Sequence, residues 1–333
     1  MSAQAAETRK PIVVILHAEG ALRRFEEAEA LAEVRYATAD TLGDALAGAD
    51  ALLLWDFFSG ALWEAWPQGA PTLRWIHIAA AGVDTLMFDE LAASDVVVTN
   101  SRGIFDRPIA EFVLASILAF AKDLPRSLRL QSRGEWRHRE TERIQDATAL
   151  VVGTGAIGRE TARLLTAVGL NVRGVGRVAR EHDPDFGVVH ASDDLASAVT
   201  DAHYVVLVAP LTAQTRGMVD ASVLAAMRPD AHVINVGRGE LLVTEDLVQA
   251  LRDGQIAGAA LDVFEEEPLP ADHPLWPMDT VLISAHMSGD AAGWRDRLAQ
   301  MFTASLARYV GGDAPESLPN VVDKQRGYVT HED

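Results

Sequence analysis

Apolar residues along this chain come in short runs, and stretches with helical spacing separate one run from the next. Each run has the length of a strand and is apolar enough to be buried on both faces. In the first third of the chain these runs are Ile12–Leu16, Ala51–Leu54, Arg74–Ile78 and Val96–Thr99. Because buried strands that alternate with helices form parallel sheets covered on both faces, we predict one such sheet here.

A second series of strands and helices starts near residue 149. Its predicted strands are Ala149–Val152, Asn171–Val175, Tyr204–Val208, His232–Val236, Ala257–Leu261 and Val281–Ser284. Helical patterns separate several of these strands. The whole chain therefore predicts an α/β fold with two Rossmann-like or flavodoxin-like domains, each built on a parallel sheet.

Helical patterns also lie on either side of the second series. Pro108–Ala121 is long and mostly apolar, and we expect this helix to be buried between domains or subunits. The polar segment Gln131–Asp146, which contains Trp136, follows as a predicted exposed or subunit-crossing loop. Arg295–Val310 is a last amphipathic helix, and we expect it to pack back on the first domain because the second sheet is already complete.

A glycine-rich turn, Gly153-Thr154-Gly155-Ala156-Ile157-Gly158, follows the first strand of the second series. In this pattern the first glycine permits the tight turn, the second lets the backbone approach a pyrophosphate, and the third lets helix and strand pack closely. The N–H groups at the start of the helix then face the phosphates. An apolar helical stripe supports the prediction of dinucleotide binding, and its members are Ile157, Thr161, Leu165 and Val168.

The expected return of the last helix to the first domain predicts that one domain is inserted into the other. Residues 109–288 would form the dinucleotide-binding domain, and residues 1–108 and 289–333 would together form the substrate domain.

The strand after the turn indicates which dinucleotide is bound. An acidic residue at its end would hold the ribose 2′-hydroxyl of NAD, but Gly176 stands there and Arg177 follows. The missing carboxylate removes repulsion toward a 2′-phosphate, and the arginines Arg177 and Arg180 supply planar partners for it. We therefore favour NADP(H), with NAD(H) as the alternative if both arginines belong to the solvated surface.

Composition excludes several classes of site and partner. The 333 residues contain no cysteine, so disulfides, thiolate metal sites, thiol nucleophiles and iron–sulfur clusters are excluded. The 10 histidines are scattered without metal-ligand spacing, and we expect no metal site. A net charge of −19 argues against a nucleic-acid partner. No apolar run is long enough to span a membrane, so we expect no membrane partner and a cytoplasmic location.

Three chemically suited side chains follow predicted strands of the second series. Arg238 lies on a turn with two glycines, Glu267 follows the strand that ends in Leu261, and His286 follows the last strand. Ligands of open parallel sheets bind at the carboxyl ends of the strands. Each residue also has a structural interpretation: the arginine could cap a turn, the glutamate belongs to an acidic run, and the histidine could be a satisfied buried one. Their joint position favours a functional role.

With these segments the sequence resembles the D-isomer-specific 2-hydroxyacid dehydrogenase family, in particular its glyoxylate and hydroxypyruvate reductases. The resemblance covers nearly the whole chain. Beside the three strand ends, it rests on Ala80–Asp84, Ile109–Glu111, Gly153–Gly158, Ala209–Thr212 and Thr215.

The resemblance implies a reaction and a role for each residue. A small 2-oxo acid would be reduced to the D-2-hydroxy acid by a nicotinamide cofactor. Arg238 would hold the substrate carboxylate and 2-oxo oxygen, His286 would be the general acid, and Glu267 would hydrogen-bond His286. The implied substrate contacts are Ala81, Gly82, Val83, Arg238 and His286. The implied cofactor contacts are Gly153, Thr154, Gly155, Ala156, Ile157, Gly158, Arg177, Arg180, Ala209, Pro210, Thr215, Val236, Gly237, Arg238, Asp262, His286 and Gly289, with Asp262 at the nicotinamide amide.

Elementary chemistry agrees with these roles. Hydride transfer to a carbonyl carbon leaves charge on oxygen, and histidine can supply the proton near neutral pH. A carboxylate beside it favours the imidazolium form. The arginine fork suits a planar 2-oxo carboxylate.

Other functions stay open at this point. Some relatives oxidise another small anion, such as formate or phosphite. Formate dehydrogenases pair glutamine with the histidine, so Glu267 argues against formate but not against phosphite. Other relatives act as dinucleotide-sensing corepressors without turnover. The resemblance also implies a homodimer, because the apolar Pro108–Ala121 helix needs burial.

Overall fold

The computed structural model describes residues 9–69 and 72–329. The chain divides into two compact units, residues 1–104 with 292–333 and residues 105–291. The sequence-based expectation places these boundaries at 108/109 and 288/289.

The first unit contains a five-stranded sheet in the order β2-β1-β3-β4-β5, and all of its paired strands are parallel. Its elements up to residue 99 are β1 (Ile12–Leu16), α1 (Glu26–Leu31), β2 (Glu33–Ala37), α2 (Leu42–Leu46), β3 (Ala51–Leu54), α3 (Ala61–Gly69), β4 (Trp75–Ile78), α4 (Asp89–Ala93) and β5 (Val97–Thr99). Every residue of β1, β3, β4 and β5 is buried, as the continuous apolar runs predict.

The second unit contains an eight-stranded sheet in the order β13-β12-β11-β10-β6-β7-β9-β8, in which only the pair β8–β9 is antiparallel. Its helices are α5 (Asp106–Ala121), α6 (Leu124–Ser132), α7 (Ala156–Ala167), α8 (Leu195–Ala198), α9 (Ala221–Ala226) and α10 (Thr244–Arg252). Its strands are β6 (Thr148–Val152), β7 (Asn171–Gly176), β8 (Arg180–Asp183), β9 (Gly187–Ala191), β10 (Tyr204–Leu207), β11 (His232–Asn235), β12 (Gly258–Leu261) and β13 (Val281–Ile283). The last helix, α11 (Trp294–Val310), returns to the first unit and contacts α1.

These sheets confirm the predicted α/β fold class. The parallel register brings Leu207, Asn235 and Leu261 into line, so the loops after β10, β11 and β12 leave one edge of the second sheet. Each sheet has a continuous apolar core of its own.

One side of the long apolar helix α5 is buried within the second unit. Its buried side includes Ala110, Val113 and Ile117, and the helix packs on α7. A partner subunit is therefore not needed to cover this face.

The described residues contain neither a membrane-spanning helix nor a metal-binding cluster. Over residues 9–69 and 72–329, no helix combines the length and apolarity needed to cross a membrane. Within the same ranges, no group of three or more His, Asp or Glu side chains could hold a metal ion.

Candidate active site

The glycine-rich turn between β6 and α7 is shaped by two close approaches. Gly153 has φ +118°, and a Cβ there would lie 2.7 Å from the Ala209 nitrogen. A Cβ on Gly158 would lie 1.9 Å from the Gly153 oxygen. Gly155, the residue before α7, has open space around it. The first N–H groups of α7, at Ala156 and Ile157, therefore lie directly after a turn with room for a pyrophosphate. The turn and these N–H groups form a cofactor cradle that a dinucleotide fits.

The buried face of α7 differs slightly from the predicted stripe. Thr161 and Leu165 are buried as expected, but Ile157 is only half-buried and Val168 is exposed just past the end of the helix. Gly158 and Ala162 complete the buried face instead.

The end of β7 is crowded by the turn. A Cβ on Gly176 would lie 3.1 Å from Thr154 Oγ1 and 3.3 Å from Val189 Cγ1. Thr154 therefore occupies part of the space that an acidic side chain at position 176 would need.

Of the two arginines predicted near the cofactor, Arg180 is held elsewhere. Its Nε donates to Asp183 Oδ2 at 2.8 Å, and Arg159 also binds Asp183. This interaction ties Arg180 to the β8–β9 hairpin and weakens its assignment to a 2′-phosphate. Burial alone would raise the pKa of Asp183, but the hydrogen bonds from Arg180 and Arg159 outweigh it and hold that pKa well below the ordinary value.

The loop after β10 is closed by a threonine. Thr215 Oγ1 donates to the Pro210 carbonyl at 2.7 Å and accepts from the Thr212 N–H at 2.8 Å. Ala209, at the start of this loop, packs against Gly153. Among the predicted cofactor contacts, Ala209 thus lies beside the glycine-rich turn, and Thr215 sets the path of the loop.

Arg238 lies on a tight turn directly after β11. Val236 N donates to Leu207 O at 3.1 Å, which continues the sheet by one residue. A Cβ on Gly237 would lie 2.8 Å from Leu241 Cδ1, and one on Gly239 would lie 1.9 Å from the Phe264 carbonyl carbon. Backbone atoms of the next segment therefore require a glycine at position 239, and position 237 is also crowded.

Asp262 joins the end of β12 to the loop that carries His286. Its side chain is fully buried, and its carboxylate accepts from Ser284 Oγ at 2.5 Å, Met287 N at 2.9 Å and Ser288 N at 2.8 Å. Its carbonyl accepts from His286 N at 2.8 Å. His286 has φ +47°, a conformation that side chains other than glycine adopt only when the surroundings fix it. Asp262 supplies that constraint, and its predicted contact with the nicotinamide amide stays a prediction.

The same loop ends at Gly289, which is buried. A Cβ there would lie 2.8 Å from Phe105 Cδ1, so this position is closely packed against the start of the second unit.

Glu267 and His286 form a hydrogen-bonded pair, with 2.8 Å between Glu267 Oε2 and His286 Nδ1. Glu267 Oε1 also accepts from Phe264 N at 2.8 Å. Burial would raise the pKa of Glu267, but these two hydrogen bonds and the charges of His286 and Arg238 outweigh it and lower that pKa. A carboxylate on Nδ1 places proton exchange with a ligand at Nε2.

The predicted substrate loop belongs to the first unit. Ala81, Gly82 and Val83 follow β4 and lead into the next turn, where Leu86 N donates to Val83 O at 3.0 Å. Asn100 Nδ2 donates to the Ala81 carbonyl at 2.6 Å, and Ser101 N donates to Ala80 O at 2.9 Å. Residues at the end of β5 thus fix the course of this loop.

The sequence patterns did not identify Asn100 or Asn235 as site residues. They also did not show that the Thr154 side chain lies against Gly176. Both asparagines are buried, and both close a turn at the carboxyl end of a strand. A buried asparagine directly after an apolar strand is the signal that could have identified them, because its amide must find partners in the following turn.

Known proteins share this architecture. The family model for the D-isomer specific 2-hydroxyacid dehydrogenase, NAD binding domain, matches residues 114–288. A glyoxylate reductase from Korarchaeum cryptofilum is 31% identical over 260 residues, which is 76% of this chain and 78% of the relative.

Two solved structures resemble the chain over almost its full length. One is a D-isomer specific 2-hydroxyacid dehydrogenase family protein from Aeromonas salmonicida, with a TM-score of 0.78, 31% identity and coverage of 95% of this chain and 100% of that one. The other is an NADPH-dependent glyoxylate/hydroxypyruvate reductase from Sinorhizobium meliloti in complex with NADP and sulfate, with a TM-score of 0.78, 27% identity and coverage of 96% and 100%. The chain therefore belongs to the D-isomer-specific 2-hydroxyacid dehydrogenase family of oxidoreductases, and its second unit carries the nicotinamide-dinucleotide-binding domain of that family.

Proposed function

We propose that this enzyme reduces a small 2-oxo acid to the corresponding D-2-hydroxy acid. The observation that carries the proposal is the 2.8 Å hydrogen bond between Glu267 and His286, in the same unit as the glycine-rich turn and Arg238. A histidine held by a carboxylate is suited to donate a proton, which reduction of a carbonyl requires.

The bound nicotinamide dinucleotide would supply the hydride to the carbonyl carbon. Arg238 binds the carboxylate and the carbonyl oxygen of the substrate and stabilises charge that develops on that oxygen. His286 donates the proton from Nε2 to the same oxygen, and Glu267 stabilises the imidazolium before transfer. The backbone of Ala81, Gly82 and Val83 binds the substrate carboxylate.

The names of two relatives indicate which small 2-oxo acid is the substrate. The relative from Korarchaeum cryptofilum is named a glyoxylate reductase, and the one from Sinorhizobium meliloti a glyoxylate/hydroxypyruvate reductase. These names and the carboxylate of Glu267 favour glyoxylate, hydroxypyruvate or pyruvate over formate. Phosphite oxidation and dinucleotide sensing without turnover are the alternatives. An assay that follows the absorbance of the reduced nicotinamide with each candidate substrate separates them from 2-oxo acid reduction.

NADP(H) is the cofactor we propose. Gly176 provides no carboxylate to repel a 2′-phosphate, and Arg177 follows it on the loop after β7. The relative from Sinorhizobium meliloti was solved with NADP. Arg177→Ala should weaken binding of NADPH more than binding of NADH, and equal effects would remove Arg177 from the cofactor site.

A homodimer is the assembly we propose. The support lies on α6 and the loop after it, where Trp136 is 99% exposed and Leu124 and Leu128 are also exposed. Exposed apolar residues this close in the chain favour contact with a second copy. Light scattering behind size exclusion tests it, and a monomer at micromolar concentration would contradict it. The cytoplasmic location stays a prediction.

Two variants test the catalytic assignment. His286→Ala should abolish reduction and leave binding of the cofactor nearly intact, whereas loss of both would make His286 a structural residue. Arg238→Ala should raise the KM for the 2-oxo acid and lower kcat. Unchanged kcat/KM in Arg238→Ala would contradict the role of the arginine.

A further inference from the structure

Asn235 is a buried polar residue that the reaction itself does not use. It is the last residue of β11, and only 1% of its surface is exposed. Its backbone lies between two neighbouring strands, in register with Leu207 on one side and Leu261 on the other. A side-chain amide in such a place must be hydrogen-bonded, because an unpaired one would destabilise the fold.

Both ends of the Asn235 amide bond the turn that carries Arg238. Nδ2 donates to the Arg238 carbonyl at 2.9 Å, and Oδ1 accepts from the Gly237 N–H at 3.1 Å. The side chain thus bridges the turn through the peptide group before Gly237 and the peptide group after Arg238. A held Arg238 carbonyl restricts rotation about the Arg238 Cα–C bond, and the bond to the Gly237 N–H holds the chain before it. Together they limit the directions in which the arginine side chain can leave the backbone.

A second link joins Asn235 to the loop that carries His286. Its carbonyl accepts from Asp262 N at 3.0 Å, and Asp262 holds the loop through the His286 N–H and the N–H groups of Met287 and Ser288. Asn235 therefore lies where the segments that carry the arginine and the histidine meet.

We propose that Asn235 is a positioning residue, which sets the orientation of Arg238 toward the substrate through the Arg238 backbone. The proposal rests on the proposed 2-oxo acid reduction. Reduction needs the guanidinium to meet two substrate oxygens at once, so a small rotation of the turn weakens both contacts. Gly237 and Arg238 are also predicted cofactor contacts, so release of this turn should weaken cofactor binding to some extent. Among the described residues no hydrogen bond joins the Asn235 side chain to the glycine-rich turn, so the loss of cofactor affinity should be smaller than the loss of substrate affinity.

The test compares Asn235→Ala with a matched control, Val233→Ala. Val233 is fully buried, lies two residues earlier on β11 and points to the same side of the strand. Both variants remove buried contacts from this strand, but only Asn235→Ala releases the turn. We would measure kcat and KM for the 2-oxo acid with saturating NADPH, the Kd of NADPH from protein fluorescence, and the Tm.

Asn235→Ala should raise the KM for the 2-oxo acid about tenfold or more, the effect of losing one good contact to a charged group, and it should raise the Kd of NADPH by a clearly smaller factor. Val233→Ala should lower the Tm without this rise. Equal KM values in the two variants would show that Asn235 only stabilises the fold, and the proposal would be wrong.

A second variant separates positioning from stability by its pH dependence. Asn235→Asp keeps an acceptor for the Gly237 N–H but places an oxygen against the Arg238 carbonyl. Protonation of that oxygen restores a donor. The KM defect of Asn235→Asp should therefore shrink as the pH falls, whereas the defect of Asn235→Ala should not. A parallel pH response in both variants would count against the proposal.

A crystal structure of Asn235→Ala tests the positioning role without any measurement of activity. A rotated Arg238 carbonyl is expected, and an Arg238 backbone unchanged from the wild type would overturn the positioning role. If the wild type reduces no 2-oxo acid, the proposed function fails, and this structure still decides whether Asn235 orients the turn.

Discussion

His286 Nδ1 lies 2.8 Å from Glu267 Oε2, and the two residues are 19 positions apart in the chain. The hydrogen bond fixes which ring nitrogen faces the carboxylate, and the loop bonds to Asp262 fix the backbone behind it. Glu267 stays ionised to lower pH than an ordinary glutamate, because the hydrogen bonds of the pair outweigh the effect of burial on its pKa. The pair thus sets a charged carboxylate against the Nδ1 side of the ring and leaves Nε2 for a ligand.

Glu267→Gln removes the charge of the pair and keeps its shape. We expect kcat for reduction to fall by about tenfold or more, since a neutral amide stabilises the imidazolium less. The pH at which reduction loses half of its rate should move down. Glu266→Gln, at the exposed neighbour, is the control and should behave as the wild type. A Glu267→Gln profile that overlays the wild-type profile would contradict the role of the pair.

Cofactor choice should depend jointly on Gly176 and Thr154. Gly176→Asp alone introduces a carboxylate at a position where Thr154 Oγ1 already lies 3.1 Å from the new Cβ. The aspartate should lower kcat/KM with NADPH, but it should favour NADH fully only when combined with Thr154→Ala. Steady-state kinetics of both single variants and the double variant with each cofactor measure this. Additive effects of the two substitutions would mean that the two residues do not compete for space.

Asn100 should matter to substrate binding and not to cofactor binding. Asn100→Ala removes the 2.6 Å hydrogen bond to the Ala81 carbonyl and frees the predicted substrate loop. We expect the KM for the 2-oxo acid to rise by about five- to tenfold, typical of one lost hydrogen bond in a loop that touches a ligand, with the Kd of NADPH unchanged. Ser94→Ala, which removes a hydrogen bond to Leu91 O in the same unit, is the control. A rise of equal size in Ser94→Ala would show a general loss of stability instead.

His77 should make the stability of the protein depend on pH. It is fully buried between Thr99 and Ser101, and burial lowers its pKa to about 3. The unfolded chain binds a proton near pH 6.5 and the folded chain does not, so stability falls as the pH drops from about 6.5 toward 3, by up to about 1.4 kcal/mol per pH unit.

His77→Gln removes this titration and keeps a hydrogen-bonding side chain. Urea unfolding at pH 7 and at pH 5 should show a smaller loss of stability in His77→Gln than in the wild type. His138→Gln, at an exposed histidine, should keep the wild-type difference. If all three proteins lose the same free energy of unfolding, His77 is not the source.

The sequence was sufficient for the strands that are buried on both faces. β1 and β3 have the predicted bounds, because short continuous apolar runs rich in Val, Ile and Leu suit a strand that is buried on both faces. It was not sufficient for β2 and β8, which are partly exposed and carry charged residues. Their pairing with neighbouring strands comes from tertiary contacts, which local periodicity does not contain.

The candidate site divides in the same way. The positions of Arg238 and His286 follow from the rule that ligands bind at the carboxyl ends of parallel strands. The capture of Arg180 by Asp183 and the closure of the Arg238 turn by Asn235 depend on the path of the backbone between strands. Such contacts join residues whose spacing carries no pattern, and only the folded chain shows them.

The measurement that tests the central claim most directly is the absorbance of reduced nicotinamide during incubation of the purified protein with NADPH or NADH and a panel of 2-oxo acids. Glyoxylate, hydroxypyruvate and pyruvate are the first substrates to add. Formate and phosphite are tested in separate reactions with NADP+ or NAD+ as the hydride acceptor. The account predicts oxidation of NADPH in preference to NADH with at least one 2-oxo acid, and loss of that rate in His286→Ala. Tight cofactor binding without turnover of any 2-oxo acid would contradict it.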